Sequence, residues 1–270
     1  MHGTIALGLL ALVNLPVPSN AQGLSARTGN SIELGIEASQ YSYVEDVRGS
    51  FFMSNTGRKL GLNGLMTERL AGGWYVSSDA RGAVGTVYYD SAGAGNKGSN
   101  PDEIWELRFV GGKDFGSDSQ VISPYAGLGY RILNNNSRGF TSTGAAGYRR
   151  RSEYIYLPVG VTHRFLLDRT ARIATGLEYD CLLEGTQTSR LSDMGTGLDD
   201  ATNTQRFGRG WRLNLAYETT SWSVGVFYYH WDIQPSDVNT LTSGGVLRGT
   251  ILEPHNITQE IGTQLKIRFE

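Results

Sequence analysis

Apolar and polar residues alternate with a period of two along most of the chain. In YLPVGVTHRFLLDRTARIATGLEYD (156–180), Ile173, Thr175, Leu177 and Tyr179 share one face, while Arg172, Ala174, Gly176, Glu178 and Asp180 share the other. That period predicts strands, and the unlike faces predict two unlike environments. The pattern recurs around 32–38, 60–67, 74–88, 105–109, 122–132, 211–218, 222–229 and 260–269. The reading is about ten strands of about ten residues, the length that crosses a bilayer when tilted.

The connections sort by length. Those at 70–73, 112–120, 166–169 and 219–221 are short. Those at 45–57, 90–102, 133–149, 185–205 and 232–256 are long, polar and rich in Gly, Asn, Ser and Asp. A barrel with short turns on the periplasmic side and long external loops sorts its connections this way. Both chain ends fall on the short-turn side, so the strand count is even. A hairpin around Ser243-Gly244-Gly245 is expected above the membrane; if it entered the wall, the count would be twelve. The expected fold is all-β, a transmembrane up-and-down antiparallel β-barrel of about ten strands, with eight or twelve as alternatives.

Aromatic residues on the apolar faces form two belts. Trp74, Phe165, Tyr217, Trp222 and Phe269 lie near the short-turn ends; Tyr88, Trp105, Trp211 and Tyr228 lie near the long-loop ends. Belts at two heights match the two membrane interfaces, although aromatic residues are common in any strand.

Composition narrows the class. The chain has 270 residues, a formal net charge of -2 and one cysteine. No basic excess points to nucleic acid. A lone Cys181 rules out a disulfide framework or a cysteine-held metal, and reads as a small apolar strand residue. Beyond the N-terminus no run of about 18 apolar residues could form a membrane helix. The N-terminus has an apolar run from Ile5 to Leu15, then Pro16, Pro18 and Ser19-Asn20-Ala21. This reads as an export signal over 1–21, although only His2 stands where a Lys or Arg is usual. A short lead over 22–30 and a barrel over 31–270 follow.

Three segments, SPYAGLGYR (123–131), YIYLPVGV (154–161) and the terminal EIGTQLKIRFE (260–270), resemble the small Gram-negative outer-membrane barrels of the opacity-protein and porin-family group. The resemblance implies localisation in the bacterial outer membrane, contact with its lipid and lipopolysaccharide, and delivery by the barrel-assembly machinery through a terminal aromatic strand. Here Phe269 would be that aromatic, with Glu270 added after it. Function is left open, because this fold hosts pores, adhesins, enzymes and structural proteins.

On this reading the lumen holds Glu33, Glu37, Asp79, Arg81, Glu106, Arg108, Arg131, Arg172, Glu178, Asp180, Arg212, Glu218, Glu260, Lys266 and Arg268. Ten strands enclose a space that side chains nearly fill, and opposed charges there should pair, since a lone buried charge is costly. The expected lumen is an ion-paired plug; a narrow passive channel is the alternative. Catalysis by a rim protease or lipid A deacylase is the weaker one. His163 and His230 both point outward, and general-base work needs a second group within hydrogen-bond reach, for which no motif exists. Arg149, Arg150 and Arg151 could clamp lipopolysaccharide phosphates, since guanidinium matches phosphate geometry, or could be solvated loop charge. Asp193, Asp199 and Asp200 lack calcium-loop spacing. No cofactor or metal is implied. The expected role is that of a structural or surface-interacting barrel whose external ligand is unspecified.

Overall fold

The computed structural model describes residues 24–269; the export signal over 1–21 and the terminal Glu270 lie outside them. The strands are β1 (Ser31–Val47), β2 (Ser50–Arg69), β3 (Trp74–Ser91), β4 (Gly95–Lys113), β5 (Phe115–Gly116), β6 (Gln120–Phe140), β7 (Ala146–Leu166), β8 (Ala171–Arg190), β9 (Ala201–Gln205), β10 (Gly208–Thr219), β11 (Trp222–Ile233), β12 (Asn239–Ser243), β13 (Val246–Ile251) and β14 (His255–Phe269). Antiparallel pairing runs β10-β11-β14-β1-β2-β3-β4-β6-β7-β8, and β8 pairs back onto β10 to close the ring. The result is a closed 10-strand barrel; β5 and β9 extend its edges, and the β12–β13 hairpin stands apart as its own two-stranded sheet. Closure is what lipid requires, because an open edge would leave backbone groups unpaired.

The alternation decides which way each residue points. Leu34, Ile36, Leu60, Leu62, Leu177, Leu213, Val224 and Leu265 face out and are exposed, whereas Glu33, Glu37, Glu178, Arg212 and Glu260 face in and are buried. An apolar exterior around a polar, packed interior inverts a soluble protein. It fits a barrel immersed in hydrocarbon.

The long external connections expected from composition are mostly strand. β1 and β2 meet at a two-residue turn, Arg48-Gly49, with φ of 55° and 79°. Positive φ at both positions twists a hairpin in the sense its strands already have, and glycine makes the second costless. β3 and β4 run to Ser91 and Gly95, and β6 and β7 to Phe140 and Ala146. These are strands of 17 to 21 residues, well beyond the length a bilayer needs. Their outer halves form a crown standing above the membrane. Polar composition suggested loops, but period two continues through it: Tyr41, Tyr43 and Glu45 keep the inward phase of Glu33 and Glu37 and stay buried. Apart from short turns, the crown chain leaves the wall at 191–200 and 234–254, and the second stretch holds the β12–β13 hairpin around Ser243-Gly244-Gly245 outside the wall, as anticipated.

Tyr88 departs from its expected belt. It pairs with Thr56 and lies six residues further out along β3 than Gly82, which faces Trp105. At strand rise that is roughly 20 Å, so Tyr88 belongs to the crown wall rather than to the membrane interface. The other belt residues stay on the outer face, and Tyr217 and Trp222 lie in contact, 5.7 Å between ring centroids.

Candidate functional site

Two layers of packed side chains cross the lumen. In the membrane half, Arg212 on β10 sits among three carboxylates. Nη1 donates to Glu106 Oε2 at 2.8 Å and Nε to Asp180 Oδ2 at 2.7 Å, and Glu178 Oε1 lies 3.1 Å from Nε. Arg81 on β3 donates to Glu37 at 2.6 Å and to Glu260 at 2.5 Å, and Ser39 Oγ donates to the same Glu260 oxygen. Arg108 pairs with Glu178 and, at 3.7 Å, with Asp79. Guanidinium forks suit this role because each spans two or three carboxylates from different strands.

Two sequence-assigned lumen charges have no ion-pair partner among the described residues. Arg131 lies over the Trp231 ring, 5.4 Å from its centroid, a contact that offsets part of its burial. Lys266 has no ion pair or side-chain hydrogen bond among the described residues and lines a cavity at the periplasmic end. Nearer the periplasm, Arg268 binds Glu33 at 2.7 Å, and Arg172 and Arg268 share Glu218 at 2.7 and 3.1 Å.

Above the ion pairs lies an aromatic layer absent from the sequence reading. Tyr41, Tyr43, Tyr154, Tyr156 and Trp231 pack with Met53, Val87, Ile104, Leu133, Leu182 and Ile233. Tyr156 meets Trp231 edge to face at 5.0 Å, a favoured arrangement for aromatic rings. Its hydroxyl donates to Glu106 at 2.8 Å and so ties the two layers together. Glycine makes room for the ring. A Cβ on Gly129 would stand 2.1 Å from it, and one on Gly160 would stand 2.5 Å from the Tyr125 ring. A buried Lys59–Asp102 pair sits in the same layer, with Lys59 over the Tyr41 ring at 4.3 Å. The available signal was alternation carried beyond the expected strand ends.

The crown corrects one rim residue. Arg150 points inward, where it pairs with Glu45 and Glu253, and Tyr43 Oη lies 2.8 Å from Glu45 Oε1. It is unavailable to an external phosphate, because period two places it opposite to its neighbours. Burial pushes the Glu253 carboxyl upward; Arg150 opposes this and Glu45 reinforces it. Arg149 and Arg151 face outward, 50% and 46% exposed. Arg149 grips Asp193, whose carboxyl this hydrogen bond holds down at about 2. Arg190, directly across from Arg149, pairs with Asp200. The outer wall above the apolar band thus carries an arginine cluster.

His255, unremarked in the sequence reading, sits between two acids on the outer crown wall. Nδ1 faces Asp46 on β1, and Nε2 lies 2.9 Å from Asp232 on β11. Burial by itself would lower the imidazole's pKa, but the two carboxylates outweigh it and raise it. Both ring nitrogens are engaged, so the group clasps three strands and presents neither nitrogen to a substrate. His230 stacks with Tyr228 on the outer face, and His163 contacts Gln120 there.

The barrel is similar to the outer membrane protease OmpT from Escherichia coli, with TM-score 0.61, 11% identity, and 90% of this chain and 98% of that one covered. A likeness at this identity speaks to the fold. That fold, with its lipid-facing wall, is an outer-membrane β-barrel, and the outer membrane is where the protein resides. Looser matches include the translocator domain of the autotransporter NalP from Neisseria meningitidis, at TM-score 0.40 and 11% identity over 88% of each chain. Another is the toluene transporter TodX from Pseudomonas putida, at TM-score 0.37 and 8% identity over 89% of each chain. No family model and no curated protein matches the sequence.

Proposed function

We propose that the protein is a non-conducting barrel of structural or surface-interacting type, whose working surface is the crown and the outer wall beneath it. The observation that supports this is the double seal of the lumen, with Arg212 among Glu106, Glu178 and Asp180 below and Tyr156 against Trp231 above. Such a lumen serves rigidity, and rigid strands carry the crown away from the membrane. On the outer wall, Arg149 and Arg151 stand above the apolar band, where lipopolysaccharide phosphates lie. Their guanidinium groups, oriented by pairing with the Asp193 and Glu153 carboxylates, are held in place to receive them. Biogenesis through the barrel-assembly machinery by way of Phe269 belongs to the same reading.

The deciding experiment is single-channel recording of the refolded protein in planar bilayers. A silent membrane is expected, with protein insertion verified by protection of the barrel from added protease. Reproducible conductance steps from wild-type protein would sink the proposal and favour a narrow passive channel.

A further inference from the structure

The seal closes only the outer part of the lumen. Beneath it, on the periplasmic side, a cavity of about 330 Å3 is lined by six basic and two acidic side chains. Arg164, Arg172, Lys266 and Arg268 line its inner part, with Arg27 and Arg69 toward the rim, against Glu33 and Glu218. Part of this charge is neutralised internally: Glu33 serves Arg268, and Glu218 serves both Arg172 and Arg268. Arg27 is paired with Asp118. Arg164 and Lys266 have no ion-pair partner among the described residues. Arg164 reaches only neutral groups, Thr28 Oγ1 and Ser123 Oγ, each at 3.3 Å. Both hydroxyls already donate to Asp114, and the Glu218 carboxylate lies within electrostatic reach of Arg164.

The floor is built by the segment before β1. Leu24 and Ala26 donate backbone hydrogen bonds to Arg169 and Asp118 at 2.9 and 2.7 Å, and Thr28 N donates to Asp114 at 2.6 Å. The lead is thereby tied to the turns on both sides of β6 and β7, and Arg172 adds a bond to the Ser25 carbonyl. Around Arg81, Arg108, Arg131 and Arg212 higher in the lumen, acids outnumber cations, with Glu37, Asp79, Glu106, Glu178, Asp180 and Glu260 facing them; here cations are in excess inside low-dielectric walls. Excess charge in such a concave site concentrates the opposite ion, and Arg164 and Lys266, both half-buried, have no carboxylate partner to offset their partial desolvation.

We propose that this vestibule is an anion-binding site facing the periplasm, made for a small water-soluble phosphate-bearing molecule. Phosphate fits because one planar guanidinium (Arg164) and one point-charge ammonium (Lys266) line the same cavity, with a hydroxyl-bearing wall beside the first. The barrel wall separates the cavity from the bilayer, so the ligand enters from water.

The probe is inorganic phosphate, titrated calorimetrically into the refolded full-length chain at constant ionic strength, with chloride as the control. Saturable binding by wild type is expected. Lys266→Met and Arg164→Met should each weaken it at least tenfold, Lys266→Arg should retain most of it, and Arg248→Met in the external hairpin should leave it unchanged. The heat-dependent gel shift verifies folding of each variant. No phosphate-specific binding in wild type, or equal binding in folded Lys266→Met and Arg164→Met, would overturn the proposal. So would loss of binding in folded Arg248→Met, which would place the ligand outside.

Discussion

Arg212 on β10 and Glu106 on β4 meet across the lumen through two parallel hydrogen bonds, Nη1 to Oε2 at 2.8 Å and Nη2 to Oε1 at 2.5 Å. Three strands, β6, β7 and β8, separate their parent strands around the ring. The pair is therefore a strut between distant walls, and the Tyr156 hydroxyl fastens it to the aromatic layer above.

Breaking the strut on one side strands a buried charge. Arg212→Met should destabilise the barrel by about 3–5 kcal/mol, because Glu106 and Asp180 both lose their partner. Adding Glu106→Leu to that variant should recover part of the loss. Urea unfolding in lipid vesicles measures both, and a single variant as stable as wild type would show that the strut carries little.

Leu177 and Glu178 are adjacent and face opposite worlds, Leu177 46% exposed on the wall and Glu178 2% exposed within. Leu177→Arg should cost roughly 2–4 kcal/mol near the midplane. Glu178→Gln should fold, keep a hydrogen-bond acceptor for Arg108, and alter only the interior. A slip of one residue would exchange these phenotypes, so a well-folded Leu177→Arg beside an unfolded Glu178→Gln would reverse the assigned faces.

Asp199 holds the external hairpin in place. Its carboxylate accepts from Thr242 Oγ1 at 2.7 Å and from the Gly244 and Gly245 amides at 3.2 and 3.0 Å. Asp199→Ala should release β12–β13 and speed limited proteolysis near Gly244 at least several-fold, with no change in the heat-shifted mobility of the barrel. Unchanged cleavage would mean that Asn203, which binds the Asp237 and Ile251 carbonyls, is restraint enough.

The His255 clasp gives the crown a pH window. The imidazole's raised pKa adds stability that is complete below its unfolded value, about 6.5, and is lost as pH rises through the folded one. Asp46 is lowered, first by its hydrogen bond to His255. In Asp232, burial pushes up and the bonds to His255 and Arg209 more than offset it. Those contributions are lost as pH falls through the depressed carboxylate values. The clasp should be tightest between about pH 4 and 6.5. Hydrogen exchange at 44–50 and 255–258 should quicken between pH 6 and 8.5 after correction for intrinsic rates. His255→Gln should remove that dependence, and an identical profile in the variant would assign it to another group.

Alternation, with the sorting of short and long connections, determined the barrel, because a period of two assigns each residue to lipid or lumen before any partner is known. Leu177 outward and Glu178 inward follow from that local rule. The rule held even where composition misled: the polar residues of 90–102 and 133–149 stay paired in the wall, with register shifts at Val87–Tyr89 and Asn136–Gly139, so the chain there is mostly strand. What alternation could not supply is who meets whom across the ring. Arg212 reaches Glu106 from 106 positions away, and His255 reaches Asp46 from 209 away. Arg150 illustrates the same limit, since its flanking arginines face the lipopolysaccharide zone while it closes on Glu45 and Glu253. Such contacts depend on closure, which brings strands distant in the chain to opposite walls of one narrow lumen. Only the tertiary structure decided that the lumen is sealed above, by rings seated on glycines of neighbouring strands, and open with unbalanced positive charge below.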